Sequence, residues 1–394
     1  MSAWTRLRNL PAGRALRIAV GIWVIYGAVI AAIVAVQPDR RTVTTEYQRA
    51  TSNWWGGEKS LYRKKNGYLY LPQFAMLYTP YELLPDRVGE PLWRVTCIGL
   101  LAVAILAAAS RIAPGHAAAV FLAATLLVLP STFASARNGQ VNLPLAALFL
   151  FIALALARER WWLAACLLGF TLAMKPIAIA PVLVCAALYP RLRLPMAVML
   201  IAFAAAPFLH PRPAYAAGEY VAFFKNLTGA GNPTGDSWCD FAGMLRRFGL
   251  ELPSLVQLAT RALAGLATLV LCWRALRALD PLRGAVAVVL MSVVYLMLFN
   301  PRTETNSYVM LAAFVALIAA CDGVSLRLPR TAAWLTLFAI VLGSENYGWP
   351  IFPLTNLWLK ALATCFFAAW LITAIFNPSK GPGFLSGPDS PTRA

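Results

Sequence analysis

The chain has 394 residues, of which 60% are hydrophobic and only 13% are charged. Soluble globular domains carry about 25% charged residues, so this composition excludes an ordinary soluble enzyme or binding domain. The formal net charge of +18 would suit a nucleic-acid partner, but basic residues also flank membrane spans on the cytoplasmic side. Because the apolar residues form long runs with the charges between them, we predict a membrane protein without a nucleic-acid partner.

The first apolar run, residues 15–36, predicts a retained membrane span. It is too long for the apolar region of a signal peptide, and no small-residue cleavage site follows it. A helix that crosses the bilayer needs about 20 mostly apolar residues. The runs predict an all-α polytopic membrane protein of about twelve transmembrane helices, at residues 15–36, 90–110, 116–134, 139–157, 161–174, 176–189, 194–209, 253–273, 284–299, 307–321, 331–344 and 355–376.

The fifth and sixth predicted spans, 161–174 and 176–189, are short, and we expect them to meet at the Lys175–Pro176 break. The residue before a proline is pushed out of helical conformation. If the two were one span, Arg191 and Arg193 would lie on the non-cytoplasmic face of the membrane. If they are two spans, every short loop on the face that holds the N-terminus contains an arginine, as the positive-inside rule expects. We therefore predict a multi-pass protein of the cell (inner) membrane with both termini cytoplasmic.

The predicted organisation is one transmembrane domain, residues 1–378, followed by a Gly-, Pro- and Ser-rich tail, 379–394, that we expect to be disordered. Two large segments, about 37–89 and 210–252, lie on the non-cytoplasmic face in this topology. Neither is long enough or apolar enough for an independent soluble domain. Their content of Trp, Tyr, Gly and Pro is typical of a membrane interface.

Residues 44–55, in the first outer segment, predict a short helix at the membrane interface. At helical spacing, Tyr47, Ala50 and Trp54 share one face, while Glu46 lies on a polar face. The outer segments are therefore expected to carry short interfacial helices.

The cysteines form neither a disulfide framework nor a paired metal-ligand pattern. All but Cys239 lie within apolar runs, where a small buried thiol is usual. Because Cys239 lies in a polar loop, we expect a membrane-impermeant thiol reagent to label it. The sequence also offers no compact set of acidic or histidine ligands, so we expect no metal and no cofactor.

Ionisable residues concentrate on the predicted outer face. Most of the acidic residues lie there, including Asp39, Glu58, Asp236 and Glu304. Burying such groups near lipid is costly, so they are often kept for function. For any single residue, a solvated loop charge is the alternative.

Basic residues on the same face lie at predicted helix ends. They include Arg137, Lys175, Arg246, Arg247 and Arg302. Arginine and lysine at such places suit phosphate binding. Anchoring to lipid headgroups is an equal alternative.

Three stretches form a more specific pattern. Residues 137–142 read Arg-Asn-Gly-Gln-Val-Asn, Met-Lys-Pro follows at 174–176, and Asn-Pro-Arg at 300–302 precedes Tyr308. This order resembles glycosyltransferase family 87, which contains membrane mannosyltransferase-like enzymes of the C-type fold. The first outer segment also follows the family pattern, at Tyr47, Ala50, Gly56, Gly57, Tyr62, Tyr70 and Pro72.

The resemblance covers about residues 44–315 and implies a C-type glycosyltransferase-like fold with an outward-facing active site. It implies inverting transfer of a mannose-like hexose or pentose from a polyprenyl-phosphate donor to a lipid or glycan hydroxyl, without metal. The chain departs from the family in two places. The expected aspartate would align near Thr44, and a usual histidine is replaced by Asn306.

This transfer needs a base for the acceptor hydroxyl and donors that stabilise the departing phosphate. Glu46 is the carboxylate nearest the position of the family aspartate, and we predict it to be the base. For Gln140, capping of the fourth span is an alternative, although Asn138 already suits that role. The other predicted site residues are Lys175, Arg137 and Arg302 for the donor phosphate, and Gln140, Asn142 and Asn306 for hydrogen bonds to sugar or phosphate.

A transporter or flippase of a lipid-linked sugar is the alternative from another functional class. Transporters often contain two related halves with broken helices at the membrane midplane. The sequence shows no such symmetry, and its acids cluster outside. A structural scaffold, the third hypothesis, leaves the charged outer segments unexplained.

Overall fold

In the computed structural model the described residues fold as helices connected by turns. The structure describes residues 3–37, 42–62, 67–230, 238–347, 350–376 and 383–385, and these ranges contain no strand. The first ten helices are α1 (Ala3–Arg8), α2 (Ala12–Val36), α3 (Thr44–Gly56), α4 (Pro72–Glu82), α5 (Asp86–Ile112), α6 (Ala117–Asn138), α7 (Asn142–Ala157), α8 (Trp161–Met174), α9 (Ile179–Leu188) and α10 (Arg193–Ala205). They are followed by α11 (Pro213–Ala230), α12 (Phe241–Arg247), α13 (Ser254–Ala278), α14 (Pro281–Phe299), α15 (Val309–Ala320), α16 (Pro329–Leu342), α17 (Ser344–Tyr347), α18 (Phe352–Thr355) and α19 (Leu359–Phe376).

Within the described ranges, 8 helical segments are long and apolar enough to cross a membrane, so the chain is a membrane protein. These are Ala12–Val36, Asp86–Ile112, Pro114–Asn138, Pro190–Leu209, Ser254–Ala278, Pro281–Phe299, Thr305–Ser325 and Leu359–Phe376. The remaining predicted spans correspond to shorter apolar helices, Asn142–Ala157, Trp161–Met174, Pro176–Leu188 and Pro329–Leu342. Every predicted span is therefore helical, and the crossing of the membrane by the short ones stays a prediction.

The centre of the bundle is formed by α7, α14 and α15. All side chains of α15 are buried, which is expected of a helix that is apolar on every side. The opposite case is α13, in which only Cys272 and Ala275 are buried. Its Leu255 and Leu258 are 75% and 62% exposed. The apolar surface of α13 therefore faces outward, as in a lipid-facing helix.

The turn between α6 and α7 depends on Gly139. This residue ends α6 in the left-handed region, with φ of +69°, which glycine adopts without strain. A Cβ atom there would lie 2.5 Å from Cγ2 of Thr44 at the start of α3. Trp93 of α5 donates from Nε1 to the Gly139 carbonyl at 2.8 Å. The turn is thus held tightly between α3 and α5.

We expect Gly139→Ala to destabilise the protein by about 1–3 kcal/mol, because alanine is strained at this φ and would clash with Thr44. Thermal unfolding of the purified protein in detergent measures the change. Gly21→Ala in α2 is the matched control, since a Cβ there meets nothing within 4 Å. Equal melting temperatures for the two variants would contradict a requirement for glycine at 139.

The helix α3 covers the stretch where the sequence predicts an interfacial helix, but its apolar face packs against protein. Tyr47, Ala50 and Trp54 are all buried. The Tyr47 ring meets the Phe74 ring of α4 edge-on, with centroids 4.8 Å apart. Amphipathicity does not distinguish a face buried in lipid from one buried in protein. The location of α3 at the membrane surface stays a prediction.

The expectation that Cys239 is accessible to a thiol reagent is wrong. Its side chain is fully buried. Its backbone N–H donates to the Thr303 carbonyl at 2.7 Å, and its carbonyl accepts from the Tyr308 hydroxyl at 2.7 Å. The backbone at Cys239 is therefore held against the segment 303–308, and its thiol is buried.

Three residues of the predicted tail, 383–385, belong to the described ranges. Phe384 and Leu385 are buried, and the Phe384 N–H donates to Oδ1 of Asp322 at 2.7 Å. The other residues of 379–394 lie outside the described residues, where disorder stays a prediction.

Candidate active site

Four of the predicted site residues form one hydrogen-bonded group between the α6–α7 turn and the segment 300–308. The Nδ2 of Asn142 donates to Oε1 of Gln140 at 2.9 Å and to Oδ1 of Asn306 at 3.3 Å. Lys175 donates from Nζ to Oδ1 of Asn142 at 3.0 Å. Residues that are far apart in sequence therefore meet at a single place.

The backbone at Lys175 explains how the lysine reaches this group. Lys175 follows α8 in an extended conformation, with φ −154° and ψ 115°, and precedes Pro176. This is the predicted break, because a proline disfavours helix at the residue before it. The ammonium group lies between two short apolar helices, where a charge needs polar partners.

Glu304 supplies the negative charge of the site. Gln140 donates from Nε2 to Oε2 of Glu304 at 3.0 Å, and the Lys175 ammonium interacts electrostatically with the same carboxylate. In the prediction from sequence, Glu304 is one of the outer-face acids and a competitor of Glu46 for the role of base. The signal in the sequence is an ionisable residue two positions after the stretch 300–302 and next to a predicted span. We define the Lys175 cluster as Gln140, Asn142, Lys175, Glu304 and Asn306.

The segment that carries Glu304 is held from two sides. On one side, Ser135 of α6 donates to the Asn306 carbonyl at 3.0 Å. On the other, Lys360 of α19 donates to the Thr305 carbonyl at 3.0 Å and forms a buried ion pair with Glu345, also at 3.0 Å. These contacts fix the backbone directly after Glu304, at Thr305 and Asn306.

Arg302 lies at the edge of the Lys175 cluster. Its guanidinium is 5.4 Å from the centroid of the Trp238 ring. Burial lowers the pKa of Arg302, and the nearby Glu304 carboxylate opposes that change. Arg302 therefore adds a positive charge near Glu304.

Arg137 and Glu46 lie outside the Lys175 cluster, and their described contacts are with other residues. The Arg137 carbonyl accepts from Nε of Arg94 at 3.0 Å, which fixes the backbone of the α6–α7 turn. The Glu46 carboxylate pairs with Arg49 on the same helix, and its side chain is 26% exposed. The structure therefore brings together four of the seven predicted residues, adds Arg302 beside them, and leaves these two at the periphery.

The helix that carries Glu46 is nevertheless tied to the cluster. The Val43 N–H, just before α3, donates to the Asn138 carbonyl at 3.0 Å. The Tyr47 hydroxyl lies 2.8 Å from the Tyr70 hydroxyl, and Tyr70 interacts electrostatically with Glu304. The position of Glu46 is thus fixed relative to the α6–α7 turn.

Thr44, which stands near the position of the family aspartate, faces a buried ion pair. Its hydroxyl donates to Oε1 of Glu90 at 2.8 Å, and Glu90 pairs with Arg94 at 3.1 Å. Glu90 and Arg94 are 4% and 1% exposed. The enclosed ion pair, together with the Thr44 hydroxyl, joins α3 to α5. Of the other acids considered from the sequence, Glu58 is exposed, while Asp39 and Asp236 lie outside the described residues.

The site therefore offers a cation, several amide groups and a carboxylate within one partly enclosed cluster. Such groups bind a phosphate and sugar hydroxyls. A sequence model of glycosyltransferase family 87 matches residues 68–301, which is more than half of the chain. The matched region contains the α6–α7 turn and Lys175, and it ends directly before Arg302. No curated protein sequence matches the chain.

Proposed function

Because the chain belongs to glycosyltransferase family 87 and is a membrane glycosyltransferase, we propose that its sugar donor is a polyprenyl-phosphate sugar. The sugar is a mannose-like hexose or a pentose, and the acceptor is a hydroxyl group of a lipid or glycan. The reaction takes place on the non-cytoplasmic face of the inner membrane, with both termini cytoplasmic.

The contact between Lys175 and Asn142 carries this proposal. A lysine ammonium at the junction of two short apolar helices suits a ligand that brings both a negative charge and a lipid chain. A phosphate that carries a polyprenyl chain meets both conditions. The Gln140 and Asn142 amides, which hydrogen-bond within the cluster, are proposed to exchange some of these contacts for hydrogen bonds to sugar or phosphate oxygens.

The departing phosphate is the group that needs stabilisation during transfer. When the bond between the anomeric carbon and the phosphate oxygen breaks, its electron pair goes to the phosphate. Lys175 and Arg302 are proposed to hold that growing charge, with Arg137 nearby, and preorganised cations are effective in this role. Asn306 and Gln140 orient the sugar against Glu304, whose carboxylate suits hydrogen bonds from sugar hydroxyls.

Glu46 is the proposed general base. It takes the proton of the acceptor hydroxyl as the acceptor oxygen attacks the anomeric carbon from the side opposite the phosphate, which inverts the configuration. Glu304 is the competing base, and its carboxylate accepts from Gln140 and faces the charge of Lys175. Glu46 lies on a partly exposed face of α3, where an acceptor in the membrane can approach it.

The donor class is tested by comparing radiolabelled sugar donors with purified protein and a lipid extract. We expect radiolabelled sugar to be transferred to an acceptor from the polyprenyl-phosphate sugar. The same sugar linked to a nucleotide is expected not to be transferred. Lys175→Met protein serves as the inactive control. Transfer from the nucleotide sugar alone would refute the proposed donor while leaving the family assignment intact.

The proposed topology predicts the labelling of two introduced cysteines. Glu58 and Arg160 are both exposed and lie in different loops. In intact cells, a membrane-impermeant thiol reagent is expected to label Glu58→Cys and to spare Arg160→Cys until the membrane is opened. The protein without an introduced cysteine is the control, and it measures any labelling of the native cysteines. The reverse pattern would place the site on the cytoplasmic face.

A further inference from the structure

A basic pocket lies beside the Lys175 cluster and is lined by different residues. Its volume is about 150 Å³, and its lining consists of Trp238, Gly243, Arg246, Arg247 and Leu357. None of the described residues that line it is acidic. Since one water molecule takes a share of about 30 Å³ in the liquid, the space is sufficient for a phosphate group. We refer to it as the Trp238 pocket.

The charge of the pocket is positive. Arg246 and Arg247 form the last turn of α12, and Arg302 adds a third guanidinium over the Trp238 ring. Asp240 caps the start of α12 and interacts with Arg246. Glu304 lies near Arg302, so among the described residues two carboxylates face the three guanidinium groups. Arginine is the side chain best suited to phosphate oxygens.

The surroundings of the pocket are apolar and face outward. Phe248 and Leu250 follow α12 and are 53% and 58% exposed. The next helix, α13, presents Leu255 and Leu258 on its exposed surface. A tryptophan beside arginines, at the border of an apolar surface, is typical of the headgroup level of a membrane. A soluble anion would make no use of this apolar surface. A phosphate-bearing lipid can place its phosphate in the basic pocket and its chain on the apolar surface.

We propose that the Trp238 pocket binds the phosphate group of a membrane lipid, with the lipid chain lying along α13. An isoprenoid monophosphate and a phospholipid phosphodiester share this chemistry and are the two sources. The residues that line the pocket lie outside the Lys175 cluster, and the site places the phosphate of a second lipid next to Arg302. The inference concerns binding alone and does not depend on the transfer reaction.

The test measures equilibrium binding to the delipidated full-length protein in a neutral detergent. The probes are radiolabelled farnesyl phosphate and a short-chain phosphatidylglycerol, with farnesol and a diacylglycerol as uncharged counterparts. The variants are Arg246→Gln/Arg247→Gln, Arg247→Lys and Lys175→Met. The matched control is Arg158→Gln/Arg160→Gln, since these arginines are exposed at the opposite end of α7. Unchanged thermal unfolding of each variant verifies folding.

We expect the double variant at 246 and 247 to weaken the binding of one phosphorylated probe by about tenfold or more, and Arg247→Lys to retain most of it. The affected probe identifies the source of the phosphate. Equal loss for the uncharged probes would refute recognition of phosphate. Loss with Lys175→Met only, and none with the arginine variants, would overturn the proposal. Because no sugar is transferred in this assay, its failure is distinct from a failure of the proposed function.

Discussion

Replacing Glu46 with glutamine is expected to lower the rate of sugar transfer by about 10²–10⁴-fold, the usual cost of losing a general base. Glutamine has nearly the same volume and leaves the buried face of α3 unchanged, so folding and donor binding should persist. The affected quantity is therefore the turnover number at saturating donor. A parallel measurement of donor binding separates loss of the base from loss of the site.

Glu304→Gln and Glu58→Gln are the controls for this assignment. Glu58 is exposed, and its substitution should have little effect. Glu304→Gln keeps a partner for Gln140 but removes the charge opposite Lys175, so it should affect donor binding as well as turnover. If Glu304→Gln abolishes turnover with unchanged donor binding while Glu46→Gln is fully active, the base is Glu304.

Lys175→Met is expected to lower kcat/KM for the donor by about 10²–10³-fold, the order of losing one preorganised group that stabilises developing charge. Methionine keeps the length and apolar stem of lysine, so the packing between α8 and α9 should be retained. Lys175→Arg should restore part of the activity, because the charge is kept while its geometry changes. A structural role alone would not produce this partial rescue.

Lys59→Met is the matched control for the loss of a lysine. The Lys59 side chain is exposed, and only its carbonyl is used, as the acceptor for the Tyr215 hydroxyl at 2.8 Å. Its donor kinetics should equal those of the unmodified protein. Normal donor kinetics in a folded Lys175→Met protein would show that Lys175 only anchors the helix end.

The helices could be predicted from the sequence because their signal is local. Each apolar run specifies its own helix, and Pro176 specifies the break after Lys175. The grouping of Gln140, Asn142 and Lys175 followed from the family resemblance, since no local rule relates positions so far apart. From hydrophobic periodicity alone, these residues would be predicted only to lie at the ends of helices.

The partner of this group could not be predicted in the same way. Glu304 is 164 positions from Gln140, and their contact depends on how α15 packs against α6 and α7. The environment of α3 was also beyond local rules, because hydrophobic periodicity reports burial but not whether lipid or protein provides it. The burial of Cys239 could not be predicted either, because its neighbours in the sequence are polar and indicate an exposed loop.

The most direct test of the central claim uses a polyprenyl-phosphate sugar labelled in both the sugar and the polyprenyl chain. The purified protein is reconstituted in liposomes that contain this donor and an acceptor lipid extract. Separation of the two labels, with the sugar label recovered in a glycosidic bond to the acceptor, is the predicted result. Both labels remaining on one lipid while that lipid crosses the bilayer would contradict transfer and indicate a flippase.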